Sequence, residues 1–226
     1  MQSPLTTAVA FTIGPVPITQ PVLVTWGLMA FLAGGSALLT RRLRLHPTAT
    51  QAALELLVEA IETQIRETMR VPPARYVPLI GTIFLFILVA NWSALLPGVE
   101  PPTAHLETDA ALAAIVFGAT LWYGIRGRGL LGYLATFADP GVLMVPLNLL
   151  ETLTRTFSLM VRLFGNVMSG VFVVGIILSL AGLLVPIPLM ALDLLTGAVQ
   201  AYIFSVLTMV FIGAAAGEAR KQEEPT

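Results

Sequence analysis

Long stretches almost without charge run through this sequence, and they limit its possible folds more than any other feature. Only 11% of the 226 residues are charged, 56% are hydrophobic, and the mean hydropathy is +0.86. A soluble domain usually has about 25% charged residues. Helices satisfy all their backbone hydrogen bonds internally, so they can cross a bilayer. The sequence therefore predicts an all-α integral membrane protein with several helical spans.

Breaks in the apolar pattern divide a single membrane domain, residues 1–226, into about five embedded helices. The predicted spans are residues 19–40, 76–96, 109–125, 143–181 and 189–216, with a charged cytoplasmic tail at 217–226. The fourth span is too long for a bilayer, because its 39 residues would reach ~58 Å against a hydrocarbon core of ~30 Å. It must protrude, break or lie strongly tilted. Packing against a large partner is the natural reason for a steep tilt, which we expect for the last two helices.

The segment 48–71 has a different pattern from the spans. Its apolar residues recur at steps of three and four, and its opposite face is charged. The charged residues are Glu55, Glu59, Glu62, Arg66, Glu67 and Arg70. This pattern predicts an amphipathic helix that lies in the plane of the membrane interface, or against a partner, and does not span.

The positions of the twelve Lys and Arg residues predict the orientation. All of them except Arg155 and Arg162 fall on one side of the membrane if the spans alternate, and the opposite loops contain none. Because cytoplasmic loops are enriched in Lys and Arg, we expect an outside N-terminus and a cytoplasmic C-terminus. The expected location is the cytoplasmic (inner) membrane of a bacterium or archaeon.

The sequence lacks the motifs that would indicate metal binding, nucleotide binding or catalysis. It contains no cysteine, and its two histidines, His46 and His105, are far apart, so we expect no metal site. It has no P-loop or other nucleotide motif. We therefore expect no catalytic residue, no bound cofactor and no nucleic-acid partner, and we expect no removable signal peptide at the N-terminus.

A row of polar residues runs along the fourth span. Its members, spaced by three or four, are Asn148, Glu151, Arg155, Ser158, Arg162, Asn166 and Ser169. Arginine does not lose its proton at ordinary pH, and a charge at mid-bilayer costs at least ~2.5–3.5 kcal/mol. Such a row cannot face lipid, so it must face water or another helix.

The last span has fewer polar groups on one face. Asp193 and Gln200 are seven residues apart, and Gln200 is as far from residue 181 as Arg162 is. In an antiparallel hairpin Arg162 and Gln200 would lie at a similar depth, with Asp193 near the level of Ser169. One alternative is that Arg162 pairs with Asp193 or Gln200 in a purely structural contact.

The sequence RLFGN at 162–166, followed by QAYIF at 200–204, resembles subunit a of the membrane (FO) sector of rotary F-type ATP synthase. The resemblance covers nearly the whole chain, and the segment 168–204 further resembles the alternative N-type branch. It implies a stator with two offset aqueous half-channels that pass H+ or Na+ to and from carboxylates of a c-subunit ring. It also implies that Arg162 separates the half-channels and docks those carboxylates, and that b-type peripheral stalk subunits and lipid are the neighbours.

The site residues implied by the resemblance match unevenly. Arg162, Asn166 and Gln200 fit the family pattern, whereas Val171 stands where many relatives have glutamate. Asp193 stands where relatives have His or Glu, and is expected to line the outer half-channel, with Glu151 in the inner one. Weaker candidates for channel lining are Asn148, Ser158, Ser169, Arg155, Asn91 and Ser93. Arg155 could equally form a salt bridge to Glu151 one turn away.

Two other functions compete with this interpretation. A secondary transporter could use Arg162 to bind an anionic substrate, but it would favour an inverted repeat and broken helices, and neither is visible. A structural membrane scaffold would not need a polar row that reaches both surfaces.

Overall fold

The protein is described by a computed structural model that covers residues 9–13, 16–41, 48–96, 99–137, 141, 144–181 and 185–216. The covered part is almost entirely helical. Its α-helices are α1 (Gln20–Thr40), α2 (Ala49–Met69), α3 (Val77–Trp92), α4 (Leu106–Phe137), α5 (Val145–Ala181) and α6 (Pro186–Ala216). A short antiparallel hairpin of β1 (Val9–Ile13) and β2 (Val16–Thr19) precedes α1.

Five of these helices, all except α2, are long and apolar enough to cross a membrane. The expected class, an all-α membrane protein with five spans and one amphipathic helix, is therefore confirmed. Short 3-10 turns at Pro73–Arg75, Ser93–Leu95 and Pro102–Ala104 link the helices. The charged tail predicted at 217–226 lies outside the described residues.

The α4 helix is longer than the third predicted span, which ended at residue 125. It continues to Phe137 through a kink at Gly129, where φ is 75° and ψ is 164°. A residue without a Cβ adopts this backbone conformation without strain. Glycine thus kinks the helix here and does not terminate it, so the predicted end of the third span at residue 125 was too early.

The α6 helix begins earlier than predicted. Its first residue is Pro186, whereas the predicted span began at residue 189. A proline in the first helical turn gives up no hydrogen bond, and its fixed φ suits the helix. The two prolines therefore belong to the start of α6.

The apolar stripe of α2 packs against the rest of the chain, and its charged face is left largely to solvent. Ile65 and Met69 are buried in one cluster with Ile80 of α3 and Ile212 of α6. The helix ends at Arg70, which adopts a left-handed conformation with φ 55°. The amphipathic pattern is therefore confirmed, and its apolar side is covered by two of the spans.

The main core lies among α3, α4, α5 and α6. It includes Ile87, Ala90, Leu163, Ala201 and Phe204, all of them fully buried. From α5 it takes one stripe at steps of four, namely Leu159, Leu163 and Val167. Most other apolar side chains of α5 remain exposed. Half of this long helix therefore faces away from the bundle.

Candidate functional site

Arg162 is exposed on α5 and has no partner among the residues that the structure describes. Its side chain forms no ion pair or hydrogen bond with any described residue. The structural pairing with Asp193 or Gln200 is therefore not formed. A permanent cation inside a span needs water or a partner of opposite charge, and neither is supplied by the described part of this chain.

Exposed apolar side chains lie on both α5 and α6, and we call them together the α5–α6 surface. Exposed stripes at helical spacing form it: Leu150, Leu153, Phe157 and Val161 on α5, and Leu192, Leu195, Val199 and Tyr202 on α6. Large exposed apolar surfaces mark contact with lipid or with another protein. Arg162 follows Val161 of the α5 stripe in sequence and is itself exposed, on the side of α5 that carries the polar row.

A close contact between Gly170 and Asp193 shows which residues of α5 and α6 lie at the same depth in the hairpin. The Asp193 carboxyl group lies against Gly170, so that a Cβ at position 170 would be 2.7 Å from Cγ of Asp193. Arg162 is eight residues before Gly170, and Gln200 is seven residues after Asp193. Since both helices rise ~1.5 Å per residue, Arg162 and Gln200 come to similar depths, and Asp193 comes to the level of Ser169.

A cavity of about 170 Å³ lies beneath the loop between α3 and α4, and we call it the loop cavity. Its polar lining consists of Asn91, Glu100 and Asp193, with Val171 and Gly175 on the α5 side. Asp193 is partly buried there. The weak candidate Asn91 and the stronger candidate Asp193 are thus brought together.

Asn91 is fixed in place by hydrogen bonds from both ends of its amide. Its Nδ2 donates to the carbonyl oxygen of Gly197 at 3.0 Å, and its Oδ1 accepts from the hydroxyl of Thr103 at 2.7 Å. A Cβ at position 197 would meet Cβ of Asn91 at 3.0 Å, so the close approach needs glycine. Ser93 donates to the carbonyl of Ala90 and does not line the loop cavity.

Two larger cavities lie towards the Val145 end of α5. The α4–α5 cavity, of about 470 Å³, contains Asn148, Glu151 and Arg155. The α5–α6 cavity, of about 610 Å³, also contains Glu151 and Arg155 and reaches Ser158 and Arg162. Because the loop cavity begins at Val171, segment 163–170 of α5 separates it from the α5–α6 cavity.

Arg155 differs from Arg162 in having a carboxylate partner. It forms an ion pair with Glu151 one turn earlier on α5, and both side chains are about half exposed. Its guanidinium also lies 5.6 Å from the ring centre of Phe211. Asn148 donates to the carbonyl of Phe137 at 2.9 Å. These contacts fix the polar groups at the end of α5 that precedes Arg162.

The remaining predicted residues lie near the separating segment. Gln200 is 6% exposed, and its Nε2 has no acceptor in the described part of the chain. Asn166 is partly buried, and its carbonyl accepts a hydrogen bond from the Ser169 hydroxyl at 2.9 Å. The Ser169 hydroxyl thus donates its hydrogen bond within its own helix.

Sequence reasoning missed several polar residues near the α3–α4 loop. Glu100, Thr103, His105 and Asp109 are brought to the bundle by the turn Pro102–Ala104 and the start of α4. The polar loop was visible in the sequence, but nothing showed that it folds inward. Gly170 was also missed, because only the hairpin register places it against Asp193.

The fold and the site together define a class, a multi-pass membrane protein with an exposed arginine that has no partner among the described residues and lies between polar cavities. A profile described as "ATP synthase A chain" matches residues 22–213. The chain is 56% identical over 219 residues to "ATP synthase subunit a 2" of Bradyrhizobium sp., covering 97% of this chain and 98% of that protein.

Two further relatives have the same description. "ATP synthase subunit a" of Albidiferax ferrireducens is 45% identical over 214 residues, covering 94% of this chain and 93% of that protein. "ATP synthase subunit a 1" of Chlorobaculum tepidum is 47% identical over 204 residues, covering 89% and 92%. The chain belongs to the ATP synthase subunit a family, and the sequence-based assignment to this family is confirmed.

Proposed function

We propose that this chain is the ion-channel stator subunit of a rotary ATP synthase or ATPase. It passes H+ or Na+ through two offset half-channels to and from carboxylates on a ring of c subunits. The ATP chemistry takes place on other subunits, since this sequence has no nucleotide-binding motif. The family membership supports the role as a membrane-sector subunit of an ATP synthase, and the position of Arg162 supports the mechanism.

The observation on which the proposal rests is the unpaired charge of Arg162 between two cavities. The α5–α6 cavity ends at Arg162, and the loop cavity begins beyond Gly170. Arg162 itself is exposed and follows Val161 of the α5–α6 surface in sequence. A ring of apolar helices with one carboxylate each would cover this surface and supply the missing negative charge.

Electrostatics explains how such an arginine would act. A ring carboxylate at ~4 Å would be attracted by about 4 kcal/mol at an effective dielectric of ~20. This attraction favours release of the bound ion where the exit channel opens. The same charge repels H+ or Na+ that would otherwise cross directly between the cavities. A lysine could lose its proton when buried, whereas arginine does not.

The two cavities correspond to the two half-channels in this mechanism. With the C-terminus in the cytoplasm, the loop cavity faces outward, and Asp193 and Asn91 line the outer path. Glu151, Asn148 and Ser158 line the inner path. Arg155 holds Glu151 through its ion pair. Asn166, Gln200 and Ser169 lie near the level where ions pass to the ring.

The assembly and location follow from the same proposal. The α5–α6 surface packs against the c ring, with α5 and α6 strongly tilted, and lipid covers the exposed side of α1. The charged face of α2 lies at the cytoplasmic membrane surface, where a b-type peripheral stalk docks. The chain sits in a bacterial or archaeal cytoplasmic membrane with its N-terminus outside, and belongs to the N-type branch.

Purification of the intact assembly tests the function directly. The chain, tagged at its C-terminus, is extracted from its native membrane in mild detergent. We expect a ring of small two-helix subunits to copurify with it, identified by mass spectrometry and electron microscopy. An unrelated tagged transporter from the same membrane serves as the control. A chain that purifies alone and binds a small anion through Arg162 would instead support the transporter alternative.

Gly170 provides a second test of the outer path. Replacing Gly170 with alanine should displace the Asp193 carboxyl group, because the new Cβ would overlap it. Misplacement of a reacting group by ~1 Å can cost up to ~100-fold, so we expect ATP-driven ion pumping to fall by roughly tenfold or more. Gly175→Ala is the matched control, since nothing lies within 4 Å of a Cβ there. Equal pumping by both variants would contradict a role for the Asp193 position.

A further inference from the structure

Asp109 is a buried acid for which the mechanism above has no use. Its side chain is 0% exposed, and neither carboxyl oxygen accepts a hydrogen bond from any residue that the structure describes. Nearly all buried polar groups in proteins have a partner, so each exception needs an explanation. A structural explanation is weak here, because a lone buried carboxyl group does not stabilise a fold.

The depth of Asp109 follows from how α4 packs against α5. Thr120 of α4 and Thr156 of α5 line the same cavity. Asp109 lies eleven residues before Thr120. Because the helices run in opposite directions with equal rise, Asp109 comes level with residues 163–167 of α5. The core cluster that joins Leu112 to Leu163 and Val167 agrees with this register.

Asp109 therefore lies at the depth of the segment that separates the loop cavity from Arg162. Other polar groups share this depth. Gly197, which accepts the hydrogen bond from Asn91, is four residues beyond Asp193 and so comes level with Asn166. One turn further towards Arg162, the Nε2 of Gln200 is a second buried group without a partner in the described residues.

Two titratable groups, Glu100 and His105, precede Asp109 on the segment that runs from the loop cavity into α4. Glu100 lines that cavity, and its Oε2 lies 3.5 Å from Nε2 of His105. His105 is one helical turn before Asp109, and the backbone N–H of Asp109 donates to the His105 carbonyl at 3.4 Å. The sequence Glu100, His105, Asp109 thus leads from a cavity into the bundle.

The donor set at Asp109 suits a proton. A hard metal cation needs several oxygen ligands, whereas no described residue forms a hydrogen bond with this carboxyl group. A protonated carboxyl group is neutral, so its burial costs less than burial of a charge. It can also donate from one oxygen and accept on the other.

We propose that Asp109 relays the translocated ion, as a proton, between the loop cavity and the ring site beside Arg162; this inference rests on the proposed function. A proton that arrives from the side of the loop cavity forms an O–H bond on one carboxyl oxygen. The O–H bond on the other oxygen breaks, and its proton passes on towards the ring carboxylate. Asp109 has one proton before and after each transfer, and nothing is oxidised or reduced.

The test uses the whole complex in sealed vesicles, with passive proton conduction measured after the catalytic sector has been stripped. Positioned proton donors typically contribute ~100-fold or more, so Asp109→Asn and Asp109→Leu should each lower conduction by roughly 100-fold. Asp109→Glu should restore most of it. Glu107→Gln is the control, since it removes an exposed carboxylate from the same turn of α4 and should leave conduction unchanged.

A purely structural role predicts a different result. It would lower the melting temperature of the complex or its content of c subunits in Asp109→Leu, and Asp109→Asn would conduct normally. Wild-type conduction in both variants, or radioactive sodium uptake that depends on Asp109, would overturn the proposal. Arg162→Ala, measured in vesicles that keep the catalytic sector, distinguishes failure of this inference from failure of the proposed function, because normal ATP-driven pumping in that variant would overturn the proposed function itself.

Discussion

Replacing Arg162 with alanine or glutamine is expected to abolish ATP-driven ion pumping while the complex still assembles. The side chain forms no hydrogen bond or ion pair with any described residue, so its removal should leave the packing of α5 intact. Loss of an attraction of about 4 kcal/mol corresponds to nearly three powers of ten in rate. The measurement is dye quenching or sodium uptake in vesicles containing the purified complex, with subunit content checked on the same samples.

Two further variants separate the role of Arg162 from a general effect of charge. Arg162→Lys should restore little, because lysine is a compact charge that can lose its proton when buried. Arg126→Gln removes an exposed arginine of α4 that lines none of the described cavities. We expect it to pump like the wild type. Near wild-type pumping by Arg162→Ala would contradict the assigned role.

The polar row was predictable from the sequence because a helix of 37 residues has one regular period. Spacings of three and four place Glu151, Arg155 and Arg162 on one side of α5 in any fold that keeps this helix. The i, i+4 ion pair of Glu151 and Arg155 depends on the same local geometry and is formed. The hairpin register was also within reach, because a short turn between two long helices leaves little freedom.

Contacts between distant segments could not be predicted. The contact of Asp193 with Gly170 depends on the distance between α5 and α6 as well as on their register, and the sequence does not give that distance. The inward fold of the α3–α4 loop depends on Thr103 meeting Asn91. The end of the third span was predicted too early for a related reason. A glycine such as Gly129 can end a helix or kink it, and the packing of the following segment decides which of the two occurs. In the sequence, Asp109 was only the first residue of the predicted third span, and nothing there indicated that its side chain is buried.

Replacing Asp193 with asparagine is expected to slow ion access from the outside more than access from the cytoplasm. Asp193 supplies a carboxyl group to the loop cavity on α6, and the described part of that helix contains no second acid. Glu151 supplies one at the other end, where it lines both larger cavities. Loss of a positioned proton donor typically costs ~100-fold, so pumping with the outside as the source should fall by at least about tenfold. The measurement compares pumping in vesicles of opposite orientation.

The side from which water reaches each residue can be tested independently, because the chain contains no cysteine. Asp193→Cys and Glu151→Cys are made singly in a complex whose other subunits lack accessible thiols. A charged thiol reagent is then added from one side of sealed vesicles. The loop cavity should admit the reagent to position 193 from the outside, and the α5–α6 cavity should admit it to position 151 from the cytoplasm. Thr196→Cys is the control for α6, since Thr196 lines none of the described cavities and should react slowly from both sides. If position 151 reacted from the outside and position 193 did not, the two half-channels would be inverted, and the orientation inferred from the arginines would have to be reversed with them.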